Sequence, residues 1–98
     1  MTFKFKVQQT PGALFWGNVE EMLKDNKKTL KDVARDMRNG KDDRETKRIY
    51  DKLNRKRVEE INPLNNEAMA LHEFLLRFDD NLMFSDLYSD WSKYDTKI

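Results

Sequence analysis

The sequence predicts an α+β domain, predominantly helical, in which a short N-terminal β-strand or hairpin precedes four to five helices. Three observations lead there. Residues 2–8 alternate apolar and polar with the period of a strand. Beyond Asn18, apolar residues recur three and four positions apart between cap and stop signals. A length of 98 residues, with 38% apolar and 38% charged content, allows one small core and no second domain. The unit is 1–98, with 95–98 expected to fray.

The elements follow in order. Phe3, Phe5 and Val7 share one face of the first strand, and Lys4, Lys6 and Gln8 the other. Thr10-Pro11-Gly12 is turn chemistry. Ala13-Leu14-Phe15-Trp16 are assigned to a returning strand, a helix start being the alternative. Asn18 with Glu21 fits a capping box for a helix over about Val19 to Asn26, with Val19, Met22 and Leu23 inward. Thr29 with Asp32 caps the next, whose Leu30, Val33, Ala34 and Met37 form one face. Asn39-Gly40 stops it. Asp42 or Asp43 caps a third helix reaching Ile61, with a thin inward stripe of Ile49, Tyr50, Leu53, Val58 and Ile61. Asn62-Pro63 ends that helix, because proline pushes its predecessor out of helical geometry. A fourth helix, capped by Asn65 or Asn66, is apolar on more than one side and reads as the centre of the core. It breaks near Ser85, and Phe84, Leu87, Tyr88, Trp91 and Tyr94 make an aromatic stripe about that break.

Several chemistries find no residues to carry them. There is no cysteine, hence no disulfide, thiolate metal site or thiol nucleophile. The single histidine, His72, has Ala68 and Leu76 four residues away on either side, so it reads as a hydrogen-bonded histidine at a core edge. Gly12, Gly17 and Gly40 are too scattered for a phosphate loop. The acidic run Asp79-Asp80-Asn81 lacks calcium-loop spacing. No enzyme, no metal and no cofactor is expected.

The net charge of +1 hides a polarity: residues 1–23 are neutral, 24–57 carry +7 and 58–98 carry −6. Such asymmetry speaks to association. Lys24, Lys27, Lys28 and Lys31 open the basic segment, which includes Arg44, Lys47, Arg48, Arg55, Lys56 and Arg57 as nucleic-acid candidates. Seven acids are interleaved, so a solvated helix laced with ion pairs is the competing account. Within the segment, Thr29-Leu30-Lys31-Asp32-Val33-Ala34 resembles the opening helix of the helix-turn-helix in lac-repressor-type regulators. That family has a turn glycine four residues after the alanine; here Arg38 holds that place and Gly40 comes two residues later. The resemblance covers six residues, implies DNA binding with Arg44, Lys47 and Arg48 exposed, and carries over no base-reading residue.

The aromatic residues Trp16, Phe84, Tyr88, Trp91 and Tyr94 are the protein-interface candidates, because aromatics bury large areas at low entropy cost. The main functional expectation is a non-enzymatic interaction module: an adaptor, inhibitor or assembly factor that occupies a macromolecular surface. In composition the chain is similar to accessory proteins of bacteriophages and mobile elements, including inhibitors of host defence. Nucleic-acid binding through 24–57 is the alternative. A homodimer through the N-terminal strand or the aromatic C-terminal helix is a further expected partnership. No secretory signal or membrane span is evident, so the expected location is the cytoplasm, that of the host if the gene is a phage's.

Overall fold

Residues 10–89, the part described by the computed structural model, form four helices and a 3-10 turn. These are α1 (Pro11–Asp25), α2 (Leu30–Met37), α3 (Arg44–Glu59), α4 (Asn65–Leu76) and the 3-10 helix Phe84–Tyr88. There is no β-strand among the described residues.

The α+β expectation is therefore corrected, over the described residues, to an all-helical one. Residues 13–16, expected to return as a strand, lie in α1, so the hairpin does not form. The strand expected over residues 2–8 lies outside the described residues, and with it the dimer contact it was to make. The correction has a local cause. The Thr10 hydroxyl accepts from the Ala13 N–H at 3.1 Å, and Pro11 occupies the first helical position, where its missing N–H costs nothing. Threonine and proline act here as a helix start. Phe15, Trp16, Val19 and Leu23 then bury one stripe of α1. Asn18, expected as a cap, sits inside the helix. Its amide donates to the carbonyls of Leu87 and Ser89, each at 2.8 Å, and so fastens the 3-10 helix to α1.

The next two starts follow the sequence. The Thr29 hydroxyl accepts from the Asp32 N–H, and the Asp32 carboxylate accepts from the Thr29 N–H at 2.8 Å. Asp43 caps α3 by accepting from the Thr46 N–H at 3.0 Å. α2 packs most extensively on α3 and also on α4. Of the α3 stripe, Leu53 is fully buried, Ile49 and Tyr50 are half-buried, and Val58 and Ile61 are exposed. The helix stops at Glu59 because Glu60 turns left-handed, with φ 57°.

α4 supplies Leu71 and Leu75, both fully buried, with Ala68 and Phe74 beside them. It ends at Leu76, well before Ser85. The chain reverses through residues 77–83, Leu82 re-enters the core, and its carbonyl accepts from His72 Nε2 at 2.8 Å. Leu87 of the 3-10 helix closes the core against α1.

Candidate nucleic-acid interface

Helices α1 and α2 meet in a tight turn. The Lys28 N–H donates to the Leu23 carbonyl at 2.8 Å and the Lys27 N–H to the Lys24 carbonyl at 3.0 Å, with Lys27 left-handed at φ 58°. The α2–α3 connection is equally bonded. The Gly40 N–H donates to the Arg35 carbonyl at 2.7 Å, the Thr46 hydroxyl donates to the Lys41 carbonyl at 2.7 Å, and Thr46 is fully buried. These turns bring the end of α1, the start of α2 and one face of α3 around an open cleft of about 1300 Å³.

The α3 wall is a single helical stripe: Arg44, Lys47, Tyr50, Asn54 and Arg57, spaced three and four apart. Facing it are Glu20, Leu23, Lys24 and Lys27 of α1 and its turn, with Lys28 and Lys31 at the α2 end. The lining holds seven cations and three carboxylates. All three carboxylates already have an arginine: Glu20 pairs with Arg57, Asp42 with Arg35 at 3.4 Å, and Asp43 with Arg38 at 2.9 Å. Arg38 first, and the Thr46 N–H second, hold the Asp43 carboxyl far below the usual carboxylate range. The Thr29 N–H does the same for Asp32, to a smaller degree, against its partial burial. Among the described residues, Lys24, Lys27, Lys28, Lys31 and Arg44 have no ion pair. Lys47 holds Asp51 at 3.2 Å in a solvent-exposed contact, a kind worth about 0–1 kcal/mol. The result is an exposed array of cations with its own acids neutralised.

The structure divides the sequence-derived basic candidates. Arg44 and Lys47 line the cleft, and Arg57 lines it while tied to Glu20 and Asn54. Arg48 pairs with Glu45 at 3.2 Å beside the cleft, and Arg55 is exposed away from it. Lys56 faces α4, where its ammonium donates to Glu67 at 2.7 Å with the two side chains only 13% and 9% exposed. Tyr50 and Asn54 are cleft residues that sequence reasoning did not single out as binding positions. Their spacing from Lys47 and Arg57 was the available signal.

The aromatic candidates also divide. Trp16 is 2% exposed, stacks edge-on against Phe15 and donates from Nε1 to the Ile61 carbonyl at 2.8 Å, so it serves the core. Tyr88 is half-buried against Phe15, and that burial pushes its phenol pKa up. Phe84 is 39% exposed and lies edge-on to His72, with Asn65, Met69 and Glu73 around the same shallow depression. Trp91 and Tyr94 lie outside the described residues.

Among the described residues no group of three or more His, Cys, Asp or Glu side chains is arranged to hold a metal ion. No described helix is long and apolar enough to cross a membrane. Comparison with protein-family models, curated proteins and solved structures finds no match.

Proposed function

We infer that the protein is a non-catalytic binding protein whose cleft takes nucleic acid. The observation carrying this reading is the pairing pattern of the cleft, in which each carboxylate is matched by an arginine while five cations stay without a partner among the described residues. Phosphates that meet such an array release counterions, which drives association and makes it salt-dependent. The main sequence expectation, a protein partner, rests on absent catalytic chemistry, segregated charge and surplus aromatics. The aromatic part of that support is weaker, since Trp16 is used inside the core. Fluorescence anisotropy with a labelled duplex of about 25 base pairs tests the reading at about 50 mM salt, where phosphate contacts are strongest. Saturable binding is expected. Absence of binding, or equal affinity for poly-glutamate, overturns it.

A second reading has its own observation. Met69 and Met83 are 56% and 63% exposed, and Met69 shares the depression beside His72 with Phe84. Flexible methionines with an aromatic suit a protein surface. A protein partner retained at moderate salt and lost in Met69→Ser/Phe84→Ser would support this reading. Retention by that variant would end it.

A further inference from the structure

We propose that the cleft grips the phosphate backbone of duplex nucleic acid without reading its sequence. The proposal rests on the nucleic-acid reading above and adds the mode of recognition. Two observations carry it.

The first is a division of labour between the two cations. Among residues 10–89, five of the seven arginines hold a carboxylate, whereas only two of the eight lysines do. Bidentate recognition of a base edge, guanine above all, is the work of a free, planar guanidinium. In the cleft that resource is reduced to Arg44. Arg57 is fixed by Glu20 and Asn54, and the neighbouring Arg35 and Arg38 are fixed by Asp42 and Asp43. What faces outward is Lys24, Lys27, Lys28, Lys31 and Lys47, with Arg44 as the one unpaired guanidinium of the lining among the described residues. Lysine ammoniums are mobile point charges. They neutralise phosphates wherever these fall and carry little directional information.

The second observation is that the described residues give the cleft no stacking platform. Single strands are held by aromatic faces on which unpaired bases lie. Among the described residues the only aromatic in the cleft lining is Tyr50, and it is half-buried among the core-packing residues. A duplex, whose bases are already stacked, needs only the charge array.

The test is the salt dependence of duplex affinity, measured with the full chain and a random-sequence pool. Six cations on phosphates correspond to a log–log slope of about −5, or a loss of about 10³-fold between roughly 50 and 200 mM salt. Repeated selection from the pool should enrich no common sequence, and a single strand of equal length should bind at least about tenfold more weakly. Lys28→Gln/Lys31→Gln/Lys47→Gln should flatten the slope by about three, one for each lost contact. Lys52→Gln/Arg55→Gln, which removes charge outside the cleft, should leave it nearly unchanged. All five side chains are exposed, so both variants should fold, and thermal melts check this. An enriched sequence, single-strand binding equal to duplex, or a slope shallower than about −2 overturns the proposal while leaving nucleic-acid binding in place. Equal losses in the two variants move the site away from the cleft and overturn it as well. Failure to bind any duplex removes the underlying reading.

Discussion

Gly12 and Gly17 share helix α1 and have opposite reasons to be glycine. A Cβ on Gly12 would stand 2.2 Å from the Glu60 carbonyl oxygen, inside backbone that cannot give way. At Gly17 a Cβ would meet nothing within 4 Å. Gly12→Ala should therefore cost about 2–3 kcal/mol through overpacking. Gly17→Ala should stabilise the chain by about 0.5–1 kcal/mol, because alanine is the better helix former. Urea titrations of the two variants give both signs in one experiment. The pair also shows what a sequence hides at this scale. Both glycines sit in one short stretch, and only the approach of the α3 terminus, far along the chain, separates them. Trp16 is a parallel case: its N–H finds the Ile61 carbonyl, so an apparent interface aromatic becomes a satisfied core residue.

Among elements, the legible parts were those with local causes. Thr29 with Asp32, Asp43 ahead of α3, and the Asn39-Gly40 stop each act within a few residues, and the structure keeps all three. The α1 start is not legible, because Thr-Pro opens helices and turns alike. The early end of α4 was hidden because apolar residues continue to Met83 while the chain folds back to seat Leu82. The basic segment was visible as composition. Its division was not, since Glu20 neutralises Arg57 and Glu67 engages Lys56 only after the helices meet. The Asp43 and Asp32 carboxyls, both held below their ordinary range, link the α2 and α3 starts to pH. Each protonates at lower pH in the folded chain than in the unfolded one. Its contribution is complete above the unfolded carboxylate value, about 4, and fades as pH falls through the folded value. Melting temperature should drop as pH falls below about 4. Asp43→Asn, which can keep the cap but loses the Arg38 ion pair, should show a shallower drop across the same window.

At the scale of the whole molecule, charge is sorted by position in the chain, and the fold keeps it sorted. The cleft gathers cations from α1, α2 and α3, while the described acids beyond residue 58 lie on α4 and the segment after it, apart from Glu59 and Glu60 at the close of α3. Glu67 reaches across to Lys56, and Arg77 back to Asp36, joining the two regions. A dipolar molecule of this kind should orient as it approaches a polyanion, with the cleft leading.

The left-handed lysine between α1 and α2 has a consequence for evolution in the laboratory. Glycine would occupy that corner with less steric conflict, so Lys27→Gly should raise thermal stability by up to about 1 kcal/mol. The same exchange deletes a cation from the cleft, so duplex affinity should fall. Selection for heat resistance alone would then drift toward molecules that melt later and hold their ligand less well.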